Sequence, residues 1–190
     1  MPVPSGEILT AKISYGFDYL DADGNGRLDE HDHVLMGERI AAELGYSSGS
    51  AEEQQIIDAF VAIWRNLHLP NIPGGGTAIT KEQFIQSTLT LADDPAAAQA
   101  TVGALAKAFM AIADRNKDGR IGPAEYLTFL RGHFPSLSQA DVDEAFAHLD
   151  SDNNGYLSAD EFTRAIIEYW SSPDPDAPGN WWIGRPIYQR

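Results

Sequence analysis

The chain is 190 residues long, with 28 acidic against 13 basic side chains, a formal net charge of −15 and no cysteine. So acidic a chain argues against nucleic acid or an anionic membrane as a partner, and the missing cysteine removes disulfides and thiolate metal sites and fits a reducing interior. With 43% hydrophobic residues the chain can bury a core. A cytoplasmic globular monomer is expected, because Met1-Pro2-Val3-Pro4 has no basic head or long apolar run and no stretch approaches the roughly 20 apolar residues of a bilayer span.

In chain order, Ile13, Phe17 and Leu20 recur at helical spacing and predict a helix running into Asp21. The next twelve residues, Asp21 to Asp32, place side-chain oxygens at positions one, three and five (Asp21, Asp23, Asn25), glycine at six (Gly26), an aliphatic residue at eight (Leu28) and a carboxylate at twelve (Asp32). Val34, Leu35, Ile40, Ala41 and Leu44 then predict a second helix, and Ser50 with Glu53 caps a third that carries Ile56, Phe60, Ile63, Trp64 and Leu67. Ile72 to Gln83 has the length of the first loop and its aliphatic residue, Ile79. Its positions one, three, five and twelve are Ile72, Gly74, Gly76 and Gln83, none of them a carboxylate. Thr80 with Gln83 reads as a capping box for the helix of Phe84, Ile85 and Leu89.

After a break at Asp93-Asp94-Pro95, a helix over 96–113 leads into a third loop with Asp114, Asn116, Asp118, Gly119, Ile121 and Glu125 in register. Tyr126, Leu127 and Leu130 leave it. Ser138 with Asp141 starts a further helix, the fourth loop places Asp150, Asp152, Asn154, Gly155, Leu157 and Glu161 in register, and Phe162, Ile166, Ile167, Tyr169 and Trp170 form the exit helix. The segment from Ser171 to Asn180 breaks that helix, after which Trp181, Trp182, Ile183, Ile187 and Tyr188 restore hydrophobicity. Paired tryptophans are expected to fill an apolar groove of the body rather than face water.

The loop spacing has a chemical reason. A hard cation of calcium's size takes six to eight oxygens at about 2.3–2.6 Å, so the chain wraps around it with a donor at nearly every second residue. Glycine at six permits the reversal. Position seven gives a backbone carbonyl, from Arg27, Arg120 and Tyr156, and position twelve closes the shell. Glu125 and Glu161 are long enough to bind through both oxygens. Asp32 is a methylene shorter, so the first loop is expected to admit magnesium more readily unless Asp29 at position nine compensates. The expected ligands are therefore Asp21, Asp23, Asn25, Arg27 and Asp32; Asp114, Asn116, Asp118, Arg120 and Glu125; and Asp150, Asp152, Asn154, Tyr156 and Glu161. The second loop is expected to stay empty and to supply a strand for the first.

On these loops the chain resembles the four-EF-hand proteins over its whole length. The order of working, silent, working and working hands, with a long first exit helix and an aspartate closing loop one, is similar to the sarcoplasmic calcium-binding protein and calerythrin type. That resemblance implies an all-α fold in which four EF-hands form two pairs packed into one compact globule: an N-terminal pair over 1–92, a C-terminal pair over 96–172, and a tail over 173–190 packing on the body. It also implies a non-catalytic calcium buffer or carrier with three Ca2+ sites. A sensor that opens a groove for a protein target is less expected, because Met1, Met36 and Met110 are too few for an adaptable groove. Calcium-triggered photoproteins share the same order of hands. They need a cavity with His, Trp and Tyr around a luciferin, and the sequence shows no ordered set among His31, His33, His68, His133 and His148.

Overall fold

The computed structural model describes residues 5–186, so Met1, Ile187 and Tyr188 lie outside the described residues. Eight α-helices dominate the described chain: α1 (Ser5–Leu20), α2 (Glu30–Glu43), α3 (Ala51–Ile63), α4 (Lys81–Leu89), α5 (Pro95–Ala113), α6 (Pro123–His133), α7 (Gln139–Leu149) and α8 (Ala159–Ser171). Four short strands lie in the loops: β1 (Arg27–Asp29), β2 (Ala78–Thr80), β3 (Arg120–Ile121) and β4 (Leu157–Ser158).

The loops work in twos because their strands do. β1 pairs antiparallel with β2, placing Leu28 opposite Ile79, and β3 pairs with β4, placing Ile121 opposite Leu157. These four aliphatic residues are buried, so each bridge is both a hydrogen-bonded ladder and an apolar contact. The second loop thus supplies the strand partner of the first, as expected from the position of Ile79.

Local chemistry sets the helix starts. Ser50, Thr80, Ser138 and Ser158 each accept an N3 amide with their side-chain oxygen, satisfying a donor that the first turn leaves free. Asp94 caps α5 ahead of Pro95, whose missing N–H costs nothing at that position. The expected long helix through Leu67 instead ends as α-helix at Ile63. It widens to a π turn over Trp64–His68 and tightens to a 3-10 turn over Leu69–Asn71.

One continuous core unites both pairs, from Leu9, Ile13 and Phe17 through Phe60 and Trp64 to Phe129, Phe162 and Trp182. Helix α2 crosses α6, while α8 packs on both α1 and α5. Helix α5 is, among the described residues, long and apolar enough to cross a bilayer. This corrects the expectation that no stretch comes near that limit. Its buried face, with Val102, Ala106, Phe109 and Ala113, belongs to the core.

The α2–α6 crossing depends on a missing side chain. A Cβ added at Gly132 would stand 2.0 Å from Ile40 Cγ1 and 3.0 Å from Ile40 Cα. Alanine is the better helix former by roughly 1 kcal/mol, but the clash reaches backbone and overpacking of this kind costs about 1–3 kcal/mol. Gly132→Ala is expected to lower stability, and chemical denaturation at fixed calcium checks the sign. A gain would show that the helices slide apart freely.

Candidate functional sites

Three loops share one hydrogen-bond scaffold. In each, the first aspartate accepts the amide of position five with one oxygen, from Asn25, Asp118 and Asn154 at 3.0, 3.2 and 3.0 Å. Its other oxygen accepts the position-six glycine amide, from Gly26, Gly119 and Gly155 at 2.8, 2.9 and 2.8 Å. The side-chain oxygen of position five accepts from position seven, that is, from Arg27, Arg120 and Tyr156 at 2.8, 2.9 and 2.9 Å. The glycines make this turn with φ of 82, 81 and 85°, a region closed to most side chains.

Position twelve is also the N3 residue of its exit helix, so one carboxylate does two jobs. One oxygen takes the amide of position two, from Ala22, Arg115 and Ser151 at 2.8, 3.0 and 2.9 Å. The other caps the helix through the amide of position nine, from Asp29, Gly122 and Ser158 at 2.8, 2.9 and 3.0 Å. The second loop keeps only the capping half, with Gln83 Oε1 accepting from Thr80 N at 3.0 Å. Its sixth position is Thr77, and its left-handed glycines are Gly74, Gly75 and Gly76. The scaffold that aims oxygens inward is absent there.

The acidic oxygens gather closely in two loops. Those of Asp21, Asp23 and Asp32, and those of Asp150, Asp152 and Glu161, lie within 4.8 Å of one another in each group. Loop three has Asn116 at position three, and Asp114, Asp118 and Glu125 do not form such a group, although every scaffold bond is present. A donor set of carboxylates, amide oxygens and backbone carbonyls, with no nitrogen or sulfur ligand, fits a hard cation of the calcium or magnesium kind.

The two buried closing carboxylates differ. Burial raises the carboxyl of Asp32 above the usual range despite the amides of Asp29, Asp23 and Ala22. Burial also opposes the charge of Glu161, but hydroxyl and amide bonds from Ser151 and Ser158 outweigh it and hold that carboxyl down to about 2. Asp29 is committed elsewhere: its side chain accepts from His31 N at 2.7 Å as the cap of α2.

A second feature lies between the pairs. A cavity of about 270 Å³ is walled by Ile72 and Ile79 of the second loop, Phe84 of α4, Val102 and Leu105 of α5, and Trp170 of α8. A narrower extension of about 20 Å³ reaches His33, Phe129, His133 and Trp182, and the two share Leu20, His68, Leu105 and Trp170. No acidic or basic side chain other than histidine borders either. His133 Nδ1 lies 2.9 Å from the Phe129 carbonyl, which can only accept, so the ring proton sits on Nδ1 and Nε2 is left as an acceptor. Nε2 has no partner, and neither has the Trp170 indole N–H. Both residues border the narrow extension.

Sequence reading missed this histidine set because it comes from three distant stretches. His33 is 5.3 Å from His68 between ring centroids, and His133 is 4.3 Å from Phe129. The tail divides its tryptophans: Trp182 is buried against Tyr126, Phe129 and Phe162, whereas half-buried Trp181 stacks on His148 at 3.7 Å.

Burial depresses His33 and His133 to about 4, in each case partly offset by the backbone carbonyl bonded to the ring. Unfolded histidine titrates near 6.5. Between these values the unfolded chain binds more protons, so stability falls as pH drops from about 6.5 toward 4. Thermal melts of the calcium-free protein across that window should show the fall, and His133→Phe should flatten it. A melting temperature independent of pH there would refute the buried neutral state.

Residues 104–167 match the EF-hand domain pair family. Calerythrin of Saccharopolyspora erythraea is 31% identical over 164 residues, covering 85% of this chain and 92% of calerythrin. The chain is an EF-hand calcium-binding protein. It is also related to photoproteins: obelin of Obelia geniculata is 29% identical over 176 residues, 90% of this chain and 87% of obelin. The calcium-loaded apo form of the coelenterazine-binding protein from Renilla muelleri shares the fold, with a TM-score of 0.80 at 21% identity over 97% of this chain and 99% of that one.

Proposed function

We propose that this EF-hand protein binds three calcium ions, in loops one, three and four, and acts as a non-catalytic cytoplasmic buffer or carrier, monomeric and with an N-terminal pair over 1–92 and a C-terminal pair over 96–172. The observation that carries the reading is the identical hydrogen-bond scaffold of those three loops and its loss in the second. In each scaffold, hydrogen bonds to backbone amides hold the oxygens of positions one, three, five and twelve, and the carbonyl of position seven is a further donor. Three bound divalent cations would take the formal net charge from −15 to −9 and relieve repulsion among the loop carboxylates.

Calorimetric titration of the calcium-free chain tests the count. Three ions per chain are expected, and Asp21→Ala, Asp114→Ala and Asp150→Ala should each remove one. Two ions with an unaffected Asp114→Ala variant would overturn the assignment of loop three. Magnesium is expected to compete mainly in loop one, where Asp32 closes the shell and Asp29 is held by the helix cap. Asp32→Glu should therefore weaken that competition, and equal competition before and after the change would sink the argument.

The cavity favours a second reading, a luciferin-binding protein of the coelenterazine type, since it joins an apolar chamber to orphaned histidine and tryptophan groups. Mixing the calcium-free chain with coelenterazine tests it through the absorption of bound ligand, followed by calcium and a record of light. No bound ligand would exclude this reading and leave the buffer reading intact.

A further inference from the structure

Of the seven asparagines in the chain, only Asn25 and Asn154 precede a glycine. Both stand at position five of a loop, with Gly26 and Gly155 at position six. An asparagine before glycine is chemically fragile, because no side chain on the next residue hinders the approach of its backbone nitrogen to the asparagine Cγ. The closed loop ties up every group that this reaction needs. The Gly26 and Gly155 N–H groups each donate to the first aspartate of their loop at 2.8 Å. The asparagine side chains are held at both ends: Oδ1 accepts from Arg27 N and Tyr156 N at 2.8 and 2.9 Å, and Nδ2 donates to Asp23 and Asp152 at 2.8 and 2.9 Å.

We propose that Asn25 and Asn154 are sites of spontaneous deamidation, gated by loop opening and hence by calcium, with Asn25 the faster of the two. The calcium gate rests on the three-ion reading; the sites themselves rest on the sequence and the loop geometry. In the opened loop the glycine nitrogen gives its proton to solvent base and bonds to the asparagine Cγ. The Cγ–Nδ2 bond breaks, and the amide nitrogen takes a proton from water and leaves as ammonia. Water then opens the resulting five-membered imide at one of its two carbonyls. Opening at Cγ gives aspartate; opening at the backbone carbonyl gives isoaspartate, whose main chain is one methylene longer.

The two products act in opposite ways. Aspartate at position five is what loop three already carries, where Asp118 accepts the position-seven amide at 2.9 Å, so the wrap accommodates it and gains a carboxylate. Isoaspartate lengthens the chain between positions five and six, and the amides of positions six and seven lose register with their acceptors. The order follows from how each loop is held. Glu161 closes loop four with two amide and two hydroxyl bonds, whereas Asp32 closes loop one with three amide bonds. Loop four pairs with a loop that has the full scaffold. Loop one pairs with the second loop, where Gly74, Gly75 and Gly76 have positive φ and nothing packs at the Cβ position of Gly74 or Gly75. Segments with fewer such contacts open more readily.

The full chain, incubated at mildly alkaline pH in chelator and in saturating calcium, is digested with trypsin and followed by mass spectrometry, which resolves each amide converted to a carboxylate. In chelator Asn25 is expected to convert first and Asn154 second, with Asn66, Asn71 and Asn180 far slower. Calcium at a hundred times its dissociation constant makes the opened loop about a hundredfold rarer, and both rates should fall by about that factor. No conversion of either residue in chelator would overturn the sites, and equal or reversed rates would overturn the order. A fall of less than about threefold in calcium would overturn the gate. Calorimetry on the unaged chain separates this from the three-ion reading: three ions bound with deamidation unslowed removes the gate alone, whereas no ion in loop one removes that reading. Aged protein is expected to lose calcium capacity in proportion to its isoaspartate, while Asn25→Asp keeps three ions. Loss of an ion in that variant would overturn the contrast between the two products.

Discussion

Stripping calcium from the loaded protein is expected to remove a large share of its folding free energy. A site holding ligand at about a hundred times its dissociation constant stabilises the native state by about 2.7 kcal/mol. Three such sites would together contribute about 8 kcal/mol, which is comparable with the total stability of an ordinary domain at about 5–15 kcal/mol. The direction is reinforced by charge, since loops one and four each hold three carboxylates within 4.8 Å of one another. Denaturant titrations at saturating calcium and in chelator should therefore differ by several kcal/mol, with the midpoint rising as calcium is raised. A difference below about 2 kcal/mol would mean that the proposed sites are fewer or are only weakly linked to folding.

Truncating Phe129 is the second change with a large expected effect. Its ring stands 5.3 Å from Phe109, 6.0 Å from Phe162 and 5.9 Å from Trp182 between centroids, and it is 2% exposed. It thereby ties α5, α6, α8 and the tail into one cluster. Phe129→Ala removes these contacts and leaves a cavity beside the one already present, for a cost of about 3–5 kcal/mol. The carbonyl of residue 129 would still accept from His133, so the loss is apolar and should be milder in Phe129→Leu. With calcium bound the Ala variant is expected to remain folded, whereas in chelator the two losses combine and the chain should be largely unfolded. Circular dichroism of the variant in both conditions decides the matter. A folded, calcium-free Phe129→Ala chain would show that the fold does not depend on this cluster.

The loops were legible in the sequence because they are local chemistry. A wrapped cation needs oxygens at fixed steps, a glycine at the reversal and an acid at the end, and all of these fall within twelve consecutive residues. Helix starts were legible for the same reason, as Thr80 with Gln83 and Ser138 with Asp141 meet across a single turn. The pairing of loop two with loop one also followed from pattern, since Ile79 occupies the position of Leu28 and the two lie opposite each other.

The tertiary structure alone decided the rest. Lys12, an ordinary helix residue by pattern, is 2% exposed and donates to the carbonyls of Glu168 and Ser172 and to Asn180 at 3.1, 2.7 and 2.6 Å, because α1 lies across the end of α8. Gly132 is fixed by Ile40, more than ninety positions away, and His33, His68 and His133 converge only when α2, the π turn after α3, and α6 are packed. Sequence by itself determined the oxygen-rich loops and which loops pair, since the loop pattern depends on neighbours along the chain. Packing decided that the pairs enclose an apolar chamber with unpaired polar groups, since chambers and close crossings arise from contacts between distant helices that no local spacing records.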